Sequence, residues 1–271
     1  MALIALTSIK GAPGVTTTAL ALTFAWPRPA LLVEADTAAG SSILAGYLRG
    51  GTDHTRGMLN LLLAHRQHAL DLDAVWDQTV QLAPDRHFLP GLADPGQAAG
   101  MTATWSQLAE TLRAVQAAGV DVLVDAGRVG TAYAATPLLR QADTVAVLTG
   151  TRLPDVYALT RRLPGLKSDL AAHSSPDAVA IITVGEGRPY SNTEISKQTA
   201  TPVIAGIAHD PAAAEVYATG AQPGRRFTST PLARTAAEAA RALIEFGRRR
   251  MEHLTGPLPA PTAQTGRWPN G

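Results

Sequence analysis

The sequence predicts an α/β fold, a doubly wound, mostly parallel sheet flanked by helices. Short apolar runs rich in Val, Ile and Leu alternate with longer amphipathic stretches through most of the 271 residues. Continuous apolar runs are typical of strands buried on both faces, and their alternation with helices is typical of parallel sheets. The turn between the first strand and the first helix carries Gly11 and Gly14. A strand, a glycine-bearing turn and a helix in that order form the geometry of a phosphate-binding loop.

The regular elements follow from the same pattern, in chain order. Strands are expected at residues 2–6, 30–33, 120–124, 144–148, 178–183 and 203–207. Helices are expected at residues 16–25, 105–118, 154–163, 192–198, 211–218 and 231–250. Glycines and prolines interrupt residues 49–100, where the pattern indicates a helix at 57–69 and short strands at 79–82 and 87–89.

Length and composition indicate one large domain followed by a tail. With 46% hydrophobic residues the chain is long enough to bury a sizeable core, and residues 1–254 are predicted to form that domain. Residues 255–271 contain four prolines and are expected to be a disordered extension.

Composition also excludes several classes of protein. The chain has no cysteine, so it forms no disulfide framework. The formal net charge of +1 argues against a dedicated nucleic-acid binder, although a local basic patch is compatible with it. No apolar run reaches transmembrane length, and the first strand begins without the charged region and cleavage site of an export signal. These observations predict a cytoplasmic protein.

The segment Lys10-Gly11-Ala12-Pro13-Gly14-Val15-Thr16-Thr17 is the main functional signal. In a phosphate-binding loop, backbone N–H groups at the turn and the helix N-terminus point at one spot, where the helix dipole favours an anion. The usual loop carries Gly-Lys-[Ser/Thr], in which the lysine reaches the phosphates and the hydroxyl reaches Mg²⁺. Val15 stands at that lysine position here. The loop therefore keeps its shape and lacks its main charge.

Lys10 is the candidate for the missing charge. Only 3 of the 23 basic residues are lysines, so a lysine at the start of this loop is an unusual choice for this chain. Lysine is a compact point charge, and a tight phosphate site can require it in place of arginine. The alternative interpretation is a solvated residue at the end of a strand.

Two further strands end in acids. Glu34 and Asp36 follow the second strand two residues apart, which puts both on the same side of an extended chain. Asp125 ends a buried strand and is followed by the small residues Ala126 and Gly127. An acid at that point holds Mg²⁺ directly or through water in Walker B motifs. The structural alternatives are that Asp36 caps the next helix and that Asp125 forms a turn.

The loop resembles the deviant Walker A motif of the ParA/MinD family of ATPases, whose pattern is Lys-Gly-Gly-x-Gly-Lys-Thr-[Thr/Ser]. The resemblance covers about residues 2–250 and implies a P-loop fold in which residues 10–17 surround the phosphates. Lys10 matches the family's signature lysine, which reaches the phosphates of the partner subunit in a dimer. Thr16 matches the Mg²⁺ ligand, whereas Ala12 and Val15 depart from the pattern. The absence of cysteine excludes the iron–sulfur members of the superfamily.

The resemblance extends to the acids and to the base pocket. Asp36 matches the second acid of the family's Asp-x-Asp, which positions the attacking water and is also expected near the metal, and Asp125 matches the Walker B acid. Thr183 stands near the family's adenine-binding Asn, and Ala208 and His209 lie in its Ile-Pro-x-Asp turn, with Ala208 in place of proline. Residues 148–156 resemble the family's strand-to-helix segment. Arg128, just past Asp125, is either a phosphate contact or a surface arginine.

The C-terminal region is rich in arginine. Residues 225–250 contain seven arginines and two glutamates; the arginines are Arg225, Arg226, Arg234, Arg241, Arg248, Arg249 and Arg250. An apolar face at helical spacing is expected to lie in the core. The arginines have three interpretations: they complement the end of the helix dipole, they bind DNA or a membrane surface as in ParA or MinD relatives, or they bind a protein partner.

These features predict a protein that binds ATP and Mg²⁺, dimerises and serves spatial positioning or partitioning, with weak or no hydrolysis because the loop lysine is Val15. Lys10 and Asp36 are its candidate catalytic residues, and Thr16, Asp36 and Asp125 its candidate metal ligands. A homodimer with a protein partner or cargo is expected, in the cytoplasm or associated with membrane or nucleoid. The alternative is a non-catalytic scaffold, similar to TadZ/CpaE-type relatives, that localises a secretion or pilus assembly without nucleotide. A metabolic ligase or kinase is a third alternative.

Overall fold

The structure is a computed structural model, and it describes residues 2–11, 14–38, 40–173, 176–185, 187 and 189–255. Its strands are β1 Leu3–Ser8, β2 Ala30–Glu34, β3 Val80–Ala83, β4 Arg86–Leu89, β5 Asp121–Arg128, β6 Thr144–Gly150, β7 Val179–Val184 and β8 Val203–Ile207. They form one eight-stranded sheet in the order β3-β4-β2-β5-β1-β6-β7-β8. Every neighbouring pair is parallel except β3 and β4, which pair antiparallel.

Helices lie on both faces of the sheet. The α-helices of the described ranges are α1 Val15–Ala25, α2 Met58–Arg66, α3 Leu72–Asp77, α4 Thr104–Ala117, α5 Thr136–Gln141, α6 Leu153–Ala171, α7 Asn192–Thr199, α8 Pro211–Thr219 and α9 Pro231–Thr255. One π-helical turn spans Ile43–Tyr47, and short 3₁₀ segments span Pro95–Thr102, Pro176–Ala178 and Phe227–Ser229. No helix in these ranges is both long and apolar enough to cross a membrane.

The core has two layers because successive residues of each strand point to opposite faces. On β1, Leu3 and Ala5 pack with α2, α4, α5 and α6, whereas Ile4 and Leu6 pack with α1, α8 and α9. All four of these side chains are fully buried. The sheet is therefore covered on both faces, which is why its strands read as continuous apolar runs in the sequence.

The predicted fold class is confirmed, and so are the predicted strands, with shifts at their ends. The main differences lie in helices. The predicted end of α6 at residue 163 is wrong, because the helix continues through Pro164 to Ala171. Leu166 and Leu170 are buried in that extension, and their packing offsets the lost backbone hydrogen bond. Helices α3 and α5 and the segment Pro95–Thr102 carry too short a pattern to be predicted.

The last helix is also longer than predicted. It extends past residue 250, and Thr255, which the sequence assigned to the tail, is its last residue. The remainder of the predicted tail, residues 256–271, lies outside the described residues.

The order of the strands reverses direction at β1. From β1 the chain passes to β2 on one side of the sheet, and after β5 it crosses to β6 on the other side. In open α/β sheets, ligands bind at the carboxyl ends of strands next to such a switch point. This edge holds the turns after β1, β2, β5 and β6.

Candidate functional site

The turn after β1 leads into α1 through a left-handed residue. Gly14 is the N-cap of α1 with φ 74° and ψ 49°, a conformation that costs glycine nothing. No side chain caps α1, and its first turn contains no acid. The first N–H groups of α1 are therefore available to an anion, which the helix dipole also favours. Ala12 and Pro13 of the predicted loop lie outside the described residues.

Val15 does not face the anion site. Its side chain is 8% exposed and belongs to the apolar layer formed with α1, α8 and α9. Thr16 and Thr17, the next two residues, are half-buried. The position that carries the lysine in a usual loop is thus occupied by a core side chain.

Lys10 lies at the loop, but its charge is paired within the same chain. Its Nζ donates to Asp155 Oδ1 at 3.0 Å. Asp155 lies in the first turn of α6, and its carboxylate packs against Gly150, where an added Cβ would come within 2.4 Å of Oδ2. The Lys10 side chain remains 49% exposed, so solvent screens the ion pair.

Asp125 is the most unusual group of the site. It is fully buried, its Oδ1 accepts from the Gly127 amide at 3.0 Å, and its Oδ2 has no hydrogen-bond partner among the described residues. The pKa of Asp125 is raised to about 7, mainly because the carboxyl is buried and to a smaller extent by the charges of Glu34 and Asp36, against the lowering effect of Thr16 and Gly127. The Thr16 hydroxyl lies near enough to lower this pKa, although it makes no hydrogen bond of ordinary geometry to Oδ2.

Glu34 has a structural task. Its carboxylate accepts from the amide of Ser42 at 3.0 Å, the amide of Ile43 at 3.4 Å and the amide of Gly91 at 3.1 Å, and also from the hydroxyls of Ser41 and Ser42. It therefore satisfies the amides that begin the π-helical turn. The alternative in which Asp36 caps the next helix is wrong, because the amides at the start of that turn donate to Glu34, whereas Asp36 accepts from Ala38.

Asp36 lies at the mouth of the site, half-buried. Its Oδ1 accepts from the amide of Ala38 at 2.9 Å in a local turn. Its carboxylate also packs on Gly127, where an added Cβ would lie 2.3 Å from Cγ. Asp36 and Asp125 therefore both contact Gly127, at the part of the site where the sequence analysis predicted the metal.

Two arginines flank the loop. Arg162 of α6 donates to the carbonyl of Ile9 at 3.0 Å and so ties the loop to that helix. Arg128, at the end of β5, lies beside Gly11, since an added Cβ there would be 3.6 Å from Nη1.

The predicted base-pocket residues gather at the ends of β7 and β8, separated from β1 by β6. Thr183 is fully buried and donates its hydroxyl to Asn192 Oδ1 at 2.7 Å. The Ala208 amide donates to Thr235 Oγ1 at 3.0 Å, and His209 is exposed. Thr183 is therefore closed off from solvent, and Asn192, which sequence reasoning missed, is the partly exposed polar group next to it.

The arginines of α9 are partly neutralised. Arg248 and Arg249 pair with Glu245, and Arg248 also pairs with Glu252. Arg250 donates to the carbonyl of Asp143 at 2.8 Å. Capping of the helix end by these three arginines is wrong, because α9 continues to Thr255 and its last turn contains His253 as its basic residue. The predicted burial of the apolar face is confirmed at residues 232, 236, 239, 240 and 243.

Comparison with known proteins places this geometry in a structural class. No protein-family model matches the sequence, and no curated protein matches it significantly. A ParA family ATPase from Chlorobium tepidum TLS is similar in structure, with a TM-score of 0.71, 16% identity and coverage of 88% of this chain and 98% of that one. The MinD cell division protein of Aquifex aeolicus has a TM-score of 0.69 and 17% identity over 90% and 98% of the two chains.

The chain has the ParA/MinD fold. A Cyanothece McdA(D38A)–ATP complex shares it, with a TM-score of 0.65, 13% identity and coverage of 90% and 96%. The structural resemblance expected from the loop and the acids is thereby confirmed at the level of fold.

Within this fold, the site fits a metal held partly by a ligand. No group of three His, Asp or Glu side chains in the described ranges is arranged to hold a metal by itself. The unpaired Oδ2 of Asp125 and the nearby Thr16 hydroxyl are oxygen donors of the kind Mg²⁺ prefers. Mg²⁺ commonly completes its shell with waters and substrate phosphates, and the uncapped start of α1, to which Thr16 belongs, leaves N–H groups available to such an anion.

The sequence analysis did not predict two interactions at this edge, the Lys10–Asp155 ion pair and the hydrogen bonds of Glu34. Asp155 could have been considered, because it is an acid in the first turn of a helix that follows a strand at the same edge as the loop. The hydrogen bonds of Glu34 could not have been predicted, since its partners lie up to 57 residues away.

Proposed function

We propose that this chain binds ATP and Mg²⁺ and acts in spatial positioning or partitioning, as a dimer with weak or no hydrolysis. One observation carries the proposal: a fully buried Asp125 with an unpaired oxygen beside Thr16, at the uncapped start of α1. A buried carboxylate with an unpaired oxygen costs folding energy. A metal bound with a nucleotide would recover that cost.

The proposed roles follow from the positions of the side chains. Thr16 and Asp125 would hold the metal, and Asp36, whose carboxylate packs on Gly127, would orient a water. Bound Mg²⁺ supplies positive charge that offsets the charge of the phosphates. The backbone amides from Gly14 onward would bind the phosphates, and Lys10 would reach them or those of a partner subunit after leaving Asp155.

Slow turnover is expected because neither position of the loop that would carry a positive charge offers a free one in this conformation. Val15 carries no charge, and Lys10 is paired with Asp155. Loss of one cationic contact to a developing charge commonly lowers rates by roughly a hundredfold to a thousandfold. Neighbours in fold include proteins named for cell division and plasmid partition, which supports a positioning role over a metabolic one.

The cellular setting is proposed on the same grounds. We place residues 1–254 in one domain that forms a homodimer in the cytoplasm and engages a protein partner or cargo. Contact with DNA or a membrane surface would depend on Arg225, Arg226, Arg234 and Arg241, because the three arginines at 248–250 already have partners.

A second candidate is a scaffold that localises other proteins without nucleotide. Three observations favour it: Val15 is part of the core, Lys10 is ion-paired, and Thr183 is closed off by Asn192. All three remove contacts that a nucleotide would use.

Calorimetric titration of ATP–Mg²⁺ into the full chain, with sedimentation of the same samples, separates the two candidates. The proposed function predicts micromolar binding coupled to formation of a dimer. Absence of binding at millimolar nucleotide, with an unchanged oligomeric state, would overturn it in favour of the scaffold.

A further inference from the structure

The end of β5 contains a bulge that re-aims the residue after it. Leu6 of β1 pairs with Asp125, yet Ser8 pairs with Arg128, so β5 holds one extra residue over this interval. Gly127 has φ 59°, the left-handed conformation that such bulges use, and its carbonyl accepts from the Thr7 hydroxyl at 3.0 Å. The bulge brings Arg128 alongside Ser8, the last residue of β1, two residues before the loop begins at Lys10.

Arg128 therefore lies over the loop. An added Cβ on Gly11 would be 3.6 Å from Nη1 of Arg128 and 4.0 Å from its Cδ. Both the stem and the head of the side chain thus pass along the backbone of Gly11, one of the predicted phosphate-binding residues.

Three cations lie in the loop or against its backbone, and they differ in what they bind. Lys10 pairs with Asp155, and Arg162 donates to the main chain of Ile9. The guanidinium of Arg128 has no carboxylate or carbonyl partner within the part of the chain that the structure describes, and the residue is exposed. It is a cation beside the loop that needs no contact broken before it binds an anion.

We propose that Arg128 supplies the phosphate-binding charge that Val15 cannot. The inference rests on the proposed function, because it names the residue that contacts the phosphates of a bound nucleotide. A guanidinium offers two parallel N–H donors that match the oxygens of a phosphate, and it is always charged. The loop lysine of the usual motif is replaced by an arginine that arrives from the neighbouring strand.

Titration of ATP–Mg²⁺ and of inorganic tripolyphosphate into full-length variants tests this. Arg128→Gln removes the charge and keeps much of the length, and Arg128→Lys keeps a charge without the fork. Arg66→Gln is the matched control, because Arg66 is an exposed arginine at the last residue of α2. The first amide of α2, at Met58, bonds to Pro90 just past the carboxyl end of β4, so Arg66 lies at the end of α2 that is away from this edge of the sheet. Thermal unfolding of the ligand-free variants is used to check that each one is folded.

The expected result is that Arg128→Gln weakens binding of both ligands by roughly tenfold to a hundredfold. Arg128→Lys retains part of the affinity, and Arg66→Gln behaves as the wild type. Tight wild-type binding that Arg128→Gln leaves unchanged would overturn the role of Arg128 and leave the proposed function standing. Absence of wild-type binding to ATP–Mg²⁺ would overturn the proposed function, and this inference with it.

Discussion

Strand β5 carries two fully buried aspartates, Asp121 at its amino end and Asp125 four residues further along, and the two carboxylates differ in how completely they are paired. Asp121 accepts from the amide of Ala2 at 2.6 Å and from the indole of Trp26 at 2.7 Å, and it lies 2.7 Å from Nε of Arg28. Asp125 accepts one hydrogen bond and has an unpaired oxygen. One strand thus carries an acid with several partners at its amino end and, in its carboxyl-terminal half, an acid with an unpaired oxygen.

We interpret the amino-end edge of the sheet as structural and the carboxyl-end edge as the place where a ligand would bind. A buried carboxylate with several donors holds strands and loops together, whereas one with an unpaired oxygen lowers stability until something binds it. Substitutions at both edges test this interpretation.

Asp121→Ala is expected to lower the free energy of unfolding by about 3–5 kcal/mol, because it leaves the Trp26 indole without its acceptor and the Arg28 guanidinium without its ion-pair partner. Denaturant unfolding measures the change. Asp53→Ala, at an exposed position, is the control and is expected to change stability by less than about 0.5 kcal/mol. Equal effects of the two substitutions would show that the Asp121 contacts do not anchor this edge.

Asp125→Asn is expected to raise the free energy of unfolding at pH 8, opposite to the change expected for Asp121→Ala. The pKa of Asp125 is raised from 3.8 to about 7 in the folded chain, so the unfolded chain loses this proton first as pH rises. The free energy of unfolding of the wild type therefore falls between about pH 4 and pH 7, by up to a few kcal/mol. Asparagine avoids that loss.

Thermal or denaturant unfolding at pH 4 and pH 8, with EDTA and without nucleotide, measures the difference. The variant should be more stable than the wild type at pH 8 and close to it near pH 4, where the folded wild type is protonated and the unfolded chain is only about half ionised at this position. A variant that is less stable at pH 8 would contradict the picture of Asp125 as an unsatisfied acid.

Val15→Lys is expected to strengthen ATP–Mg²⁺ binding by about tenfold and to raise hydrolysis, because the ammonium can extend from the core edge towards the phosphates. Val15→Met has a similar length without the charge and serves as the control. Binding and turnover are measured for both variants. If lysine and methionine give the same result, position 15 has no electrostatic role in this loop.

Asp155→Asn is expected to have the smallest effect, since the Lys10–Asp155 pair is partly exposed. Releasing Lys10 should tighten ATP–Mg²⁺ binding by about twofold to fivefold, in line with the modest energy of such pairs. The gain should vanish in the Lys10→Ala background, which calorimetry of the double variant tests. A gain in ATP–Mg²⁺ affinity that persists in the Lys10→Ala background would contradict the release of Lys10 as its cause.

Local features of the sequence were sufficient for much of the fold. Apolar runs at β1, β2, β5, β6, β7 and β8 mark buried strands because side chains on both faces must be apolar there. Helices with long amphipathic patterns were predicted for the same reason. The short helices α3 and α5 carry too few residues for a periodic pattern, and the passage of α6 through Pro164 depends on the burial of Leu166 and Leu170 against other elements.

The class of fold, the glycine that starts α1, the missing charge at Val15 and the acid Asp125 in β5 could all be predicted from the sequence, because each is a property of neighbouring residues. The contacts of these groups depend on the tertiary structure: Lys10 pairs with a carboxylate 145 residues away, and a bulge places Arg128 along Gly11. Such contacts depend on strand order and register, which bring distant residues together, and no local pattern encodes them.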